Sequence, residues 1–176
     1  MLKGKFEINL DFFKLKSPSL IGVDISSSSV KMVELSMVGK ENQSYRIERY
    51  VIESMPVDAM LDGAIVDLEV VSECLRRGWK RMGTRRRNVA LALPATDVIT
   101  KKIFVSAGQR EDDLAYQVET EASQYIPFPL VEIDLDFQVV KHVQENLEEV
   151  EVLIVASRKE KVEDRVAVAL SAGLKA

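Results

Sequence analysis

One cysteine and one histidine in 176 residues leave little room for several common chemistries. Cys74 cannot close an internal disulfide, so the chain does not require an oxidising compartment. Cys74 and His142 are far apart and cannot complete a closed zinc site. They also do not pair as nucleophile and base. Cys74 reads as a small buried hydrophobe on a helix, and His142, beside Lys141, as a surface residue near a strand end. No apolar run approaches the roughly 18 residues that span a bilayer; Val166–Leu174 is a short Ala-rich helical stretch. Lys3 and Lys5 stand near the N-terminus, but polar residues interrupt any signal-like core. The expected location is therefore the cytoplasm.

The chain has material for a core. Hydrophobic residues make up 47% and charged residues 30%, with 24 basic against 28 acidic side chains and a net charge of -4. That balance suits a soluble folded chain and makes nucleic acid a poor general ligand. Residues 1–18 place Phe6, Leu10 and Phe13 at helical spacing among Lys3, Lys5, Lys14 and Lys16. This arm reads as a helix packed on its own domain, a frayed terminus, or a segment touching a membrane or partner.

An ordered pattern follows. Leu20–Ile25 alternates as a strand, Ser26–Ser29 form a turn, and Val30–Ser36 returns. After a turn at 39–42, Tyr45–Ser54 is a third strand of an antiparallel meander. Asp62-Gly63 breaks the chain. Asp67 is placed to cap a helix over Leu68–Met82, with Leu68, Val71, Leu75, Trp79 and Met82 on its apolar stripe and Gly83 as its stop. A second unit follows Arg87: strands Asn88–Leu93 and Val98–Val105, a helix over 110–125 with Leu114, Val118, Ala122 and Tyr125 inward, then strands Ile133–Val140 and Glu151–Ala156. Pro127-Phe128-Pro129 ends the first of its helices. Ser157 is read as the cap of a last helix that Gly173 closes.

The segment Asp24–Lys31 carries the most chemical information. A tight turn gathers backbone amides into a concavity that attracts phosphate oxygens, and Ser26, Ser27, Ser28 and Ser29 add hydroxyl donors. Lys31 supplies a compact cation, and Asp24 could hold magnesium through water. The alternative is a plain serine turn with no ligand. Neither GxxxxGK[ST] nor GxGxxG is present. Arg76, Arg77, Lys80, Arg81, Arg85, Arg86 and Arg87 form a basic cluster. It is read as the solvated, dipole-complementing end of a helix in preference to a nucleic-acid patch, with an acidic protein partner as a further possibility. Phe128, held between Pro127 and Pro129 and preceded by Tyr125, reads as an anchor for a partner peptide or a plug between lobes. The carboxylate pairs Asp112-Asp113 and Glu148-Glu149 read as solvated faces, and no catalytic triad is visible.

In order along the chain, Leu20-Ile-Gly-Val-Asp-Ile-Ser-Ser-Ser-Ser-Val-Lys-Met-Val-Glu-Leu35, Val89-Ala-Leu-Ala-Leu-Pro94 and Glu119-Thr-Glu-Ala-Ser-Gln-Tyr-Ile-Pro-Phe-Pro129 resemble the PilM family of type IV pilus assembly proteins, relatives of the actin-like protein FtsA. Asp134-Leu-Asp-Phe-Gln-Val139, Val152-Leu-Ile-Val-Ala-Ser-Arg-Lys-Glu160 and Ala172-Gly-Leu174 continue the likeness. The resemblance implies an α/β, actin-like first lobe over residues 19–87 and an inserted small α+β subdomain over 88–174. It also implies ATP and Mg at Asp24, Ser26, Ser27, Ser28, Ser29 and Lys31. The implied partner is the cytoplasmic tail of a PilN-like inner-membrane protein, docked between the subdomains, with other pilus assembly proteins as further partners; recruitment to the inner face of the cytoplasmic membrane follows. The family commonly carries glycine where Ser26 stands, and it continues into a second lobe beyond the equivalent of Ala176. No hydrolysis is expected of this chain alone. Two rival expectations are a nucleotide-independent peptide-binding fragment and the cytoplasmic actin-like part of a related type II secretion protein.

Overall fold

The computed structural model describes residues 20–38, 44–142 and 148–176. The expectations for the arm at 1–18 and the turn at 39–42 lie outside these residues. The chain divides into two compact units.

The first unit contains the described residues up to Pro94 together with Lys161–Ala176. Its sheet starts with β1 (Ile21–Ile25), β2 (Ser29–Val38) and β3 (Ser44–Ser54), the expected meander. Helix α1 (Leu68–Met82) follows, and β6 (Val89–Leu91) then pairs parallel with β1, giving the order β3-β2-β1-β6. Strict alternation in β1 buries Ile21, Val23 and Ile25 on one face and leaves Asp24 on the other. Val30 and Met32 of β2 join the buried face, against Val71, Cys74 and Leu75 of α1.

The ends of α1 are those the sequence marks. The Asp67 carboxylate accepts from the Val70 amide at 3.0 Å, and Gly83 leaves the helix at φ 66 with its amide donating to the Lys80 carbonyl. Asp62-Gly63 does more than break the chain. With φ 48 and 80 it forms the two-residue turn joining the short strands β4 (Met60–Leu61) and β5 (Ala64–Ile65). Aspartate followed by glycine is the pair that tolerates two successive left-handed residues.

The second unit, Ala95–Glu160, is an antiparallel sheet in the order β7-β9-β8, formed by β7 (Val98–Ser106), β8 (Ile133–His142) and β9 (Glu149–Arg158). Helix α2 (Glu111–Ala122) buries Val118 and Ala122 with Ile103, Val105, Val152 and Ile154. Asp112 and Asp113 are exposed in its first turn, where they complement the helix dipole. Tyr125, expected on the inward stripe, lies past the helix end and is 46% exposed; Ile126 is the buried residue there.

Two sequence expectations are corrected. The break between units falls near Pro94 and Glu160, not at 87/88 and 174. β6 belongs to the first sheet, and the last helix, α3 (Lys159–Ser171), buries Val168 and Ala169 in the first core, with Ala172 and Leu174 just beyond it. Lys175 bridges in parallel to Asn88, its carbonyl accepting from the Val89 amide at 2.7 Å. Ser157 does not cap α3. It lies within β9, and its hydroxyl donates to the Asp97 carbonyl at 2.8 Å.

Candidate functional site: the serine hairpin and its surroundings

The β1–β2 connection closes at Ser26 and Ser29, which exchange amide–carbonyl bonds of 3.0 and 3.3 Å. The Ser26 hydroxyl donates to the Ser29 carbonyl at 2.9 Å, and Ser29 is buried. Both residues are therefore spent on the turn itself. Ser27 and Ser28 form its exposed tip, and the Ser28 carbonyl accepts from the Met55 amide at 2.9 Å. Of the four serines, the middle two are the exposed ones.

Strand register places Asp24 directly opposite Lys31. Their side chains share the face turned away from α1 and meet at 3.0 Å, each about half exposed. Asp24, Ser27, Ser28 and Lys31 thus lie together at one end of the sheet. No group of three or more His, Cys, Asp or Glu residues able to hold a metal occurs among the described residues. A magnesium ion at Asp24 would have this one carboxylate and would keep its waters as its other ligands. A phosphate would meet the Lys31 ammonium and the Ser27 and Ser28 donors.

The basic cluster is bound into the fold. Arg77 and Arg81, one helical turn apart, donate to the Glu53 carboxylate at 3.0 and 2.6 Å. These two hydrogen bonds hold the Glu53 carboxyl below its ordinary value of 4.5. Glu34, almost fully buried, takes Arg49 at 3.3 Å and Arg86 at 3.4 Å. Arg76 reaches the Ser171 carbonyl at 2.7 Å, and Arg87 lies 5.2 Å over the Trp79 ring. Trp79, expected in the core, is partly buried and donates to the Arg86 carbonyl at 2.8 Å. The solvated helix end expected from the sequence is thus largely a set of clamps between α1, the sheet and the end of α3. Composition hid the counterions; the period-two placement of Glu34 in phase with Val30 and Met32 was the available signal.

In the second unit, Phe128 is 37% exposed with the Arg158 guanidinium 5.5 Å from its ring centre, and Lys101 stands 4.7 Å over Tyr125. Pro127 separates Phe128 from the buried Ile126. Neither cation was singled out by sequence. Both rings stay partly exposed, and each has a cation within cation–π reach.

No described helix is long and apolar enough to cross a membrane. The family model described as type IV pilus assembly protein PilM matches residues 22–176. A solved structure titled as a PilM–PilN type IV pilus biogenesis complex contains a chain of the same fold, with a TM-score of 0.77 and 27% identity. The match covers 89% of this chain and 45% of that one, so this chain spans under half the length of its relative.

Proposed function

Because this chain belongs to the PilM family of type IV pilus assembly proteins, we propose that it is a nucleotide-responsive scaffold segment that binds the cytoplasmic tail of a PilN-like inner-membrane protein. The observation that carries the reading is the match to PilM over nearly the whole chain, joined to a fold shared with a chain from a PilM–PilN complex. In this reading the protein works on the cytoplasmic face of the membrane, where the tail tethers it. ATP and Mg contribute a polyphosphate and a hydrated cation. Lys31 and the Ser27 and Ser28 donors hold phosphate oxygens, and Asp24 orients metal-bound water. Ser26 and Ser29 shape the turn without touching the ligand. The Asp24–Lys31 pair must part when these groups bind, which costs about 1 kcal/mol or less for an exposed pair. Tyr125, Pro127 and Phe128 form the surface proposed for the tail: an extended peptide can set an apolar side chain beside Phe128 while its backbone accepts from nearby cations. The chain is a binding component with no catalytic residue assigned.

Calorimetric titration with Mg-ATP and, separately, with a synthetic PilN-like tail tests both halves. Heat with both is the expected result, with Lys31→Ala abolishing the first and Phe128→Ala weakening the second. Flat traces with both overturn the reading. A second reading, a peptide-binding segment indifferent to nucleotide, draws on the Ser26 hydroxyl closing the turn and on Lys31 already paired with Asp24. It predicts heat with the tail alone and a tail affinity unchanged by Lys31→Ala.

A further inference from the structure

The C-terminal end of α1 and the turn after it gather charge that neither the nucleotide site nor the tail site uses. Residues 76–87 hold seven cations and no acid. Gly83, at φ 66, reverses the chain. The Thr84 hydroxyl then accepts from the Arg86 amide at 3.2 Å, closing a short turn with Arg85 at its tip. Trp79 staples this turn back onto the helix. Its indole donates to the Arg86 carbonyl at 2.8 Å, and Arg87 lies over its ring. Cations of the helix and of the turn are thereby brought to one surface.

Not all of that charge is spent on the fold. Arg76 and Arg87 turn to the Ser171 and Gly173 carbonyls beyond α3 and at its end. Three carboxylates reach the segment: Glu73 takes Arg76, Glu53 takes Arg77 and Arg81, and Glu34 takes Arg86. Seven cations bound to three carboxylates leave this surface positive in a chain whose net charge is -4. Arg81 engages Glu53 through one terminal nitrogen and Arg86 engages Glu34 through Nε, and their side chains stay 63% and 44% exposed. A guanidinium carries five N–H donors, so each can take a further oxygen without parting its pair. Lys80 and Arg85 are exposed as well.

We propose that this surface docks on an anionic lipid bilayer, with Lys80, Arg81, Arg85 and Arg86 meeting the headgroups. A bilayer of negative charge repels most of an acidic chain and draws it in where cations are gathered, which sets one orientation. Exposed apolar side chains border the cations. Arg81 reaches the Ile52 carbonyl at 3.5 Å, and Ile52 and, two residues back on β3, Tyr50 are 57% and 72% exposed. Cations with apolar neighbours suit a membrane surface better than a nucleic acid or an acidic protein. The choice of a bilayer also rests on the reading given above, in which a PilN-like tail holds the chain at the membrane. The cytoplasmic leaflet is anionic, and each Lys or Arg near it adds about fivefold to binding.

Co-sedimentation of the intact chain with phosphatidylcholine vesicles, with and without about 40% phosphatidylglycerol, tests the proposal. Binding to the anionic vesicles alone is expected, weakening at least about tenfold between about 50 and 300 mM salt. Lys80→Glu and Arg85→Glu, at exposed positions, are each expected to weaken it at least about fivefold and to leave the melting temperature unchanged. Arg110→Glu, the same charge change in the second unit, is expected to leave vesicle binding unchanged. No binding to anionic vesicles overturns the proposal, as does equal binding to neutral ones. So does binding that survives both reversals, as it would if residues 1–18 carried it, or tighter binding to a DNA duplex or to polyglutamate than to the vesicles. Separate titration with the synthetic tail keeps the two readings apart. Heat with the tail and no vesicle binding removes only the docking surface; vesicle binding without tail heat removes only the tail site.

Discussion

Replacing Glu53 with glutamine tests whether the basic helix is a structural clamp. The glutamine keeps the shape and one acceptor oxygen and removes the charge. Glu53 is mostly buried, its side chain 12% exposed, between Arg77 and Arg81 at 3.0 and 2.6 Å. A hydrogen bond to a charged group contributes about 1.5–3 kcal/mol when buried, and an exposed ion pair about 0.2–1. Both arginines are about half exposed or more and regain water in the variant. The expected loss is therefore about 1–2 kcal/mol at neutral pH, or about 2–8 °C in melting temperature for a chain of this size. The sign with pH follows from the lowered carboxyl. The folded state binds this proton more weakly than the unfolded chain, so the contribution is complete above the ordinary value of 4.5 and fades as pH falls through the lower folded value. Thermal melts of both proteins from pH 7 downward should show a gap that is constant to about pH 5 and then closes. Equal melting temperatures at pH 7, or a gap that persists unchanged in strong acid, would refute the clamp.

Two further substitutions probe the first unit. At Gly78 a Cβ would stand 3.2 Å from the Met32 Sδ and 3.6 Å from Val51 Cγ1, so Gly78→Val should cost about 1–3 kcal/mol in urea unfolding, while Gly78→Ala, aided by helix propensity and a movable thioether, should stay within about 1. Ser26→Gly should lose about 1 kcal/mol by deleting the hydroxyl bond to Ser29, and on the proposed nucleotide reading it should tighten Mg-ATP binding by letting phosphate closer to the turn; calorimetry and melting read the two effects separately.

What sequence could see was what neighbouring residues decide. The α1 boundaries followed from Asp67 and Gly83, because caps act on the nearest turn. The meander followed from alternation in β1 and β2. The errors lay where distant segments close on one another. The last helix adjoins β9 in sequence, and only the burial of Val168 and Ala169 beside Val71 and Leu75 puts it with the first core. Ser157 looked like a cap because it precedes a helix, but β9 runs two residues longer than its apolar run suggests, to Arg158. The hairpin was found from its residue types, yet the division between Ser26 and Ser29, which close it, and Ser27 and Ser28, which face outward, depends on turn geometry. The register of β2 against β3 shifts between Glu34 and Leu35, leaving Glu48 as an extra residue, and this left no signal beyond the odd spacing of Tyr45, Ile47, Tyr50 and Ile52.

The sheet carries ion pairs of two kinds, and the difference decides which of them can become a binding site. Glu34 and Glu53 are nearly buried carboxylates, each held by two arginines. Removing their cations would strand a charge away from water, at a cost of several kcal/mol, so a ligand has little prospect of displacing them. Asp24 and Lys31 are half exposed on the opposite face, and each recovers hydration when the other leaves. On the proposed nucleotide reading, a polyanion with its counter-cation would take both at once, exchanging one weak pair for a contact at each. The abundance of arginine on α1 therefore draws attention to the wrong place for a nucleotide. On the proposed nucleotide reading, the exposed Lys31 facing Asp24 across the β1–β2 turn is where an anion would enter without dismantling the fold.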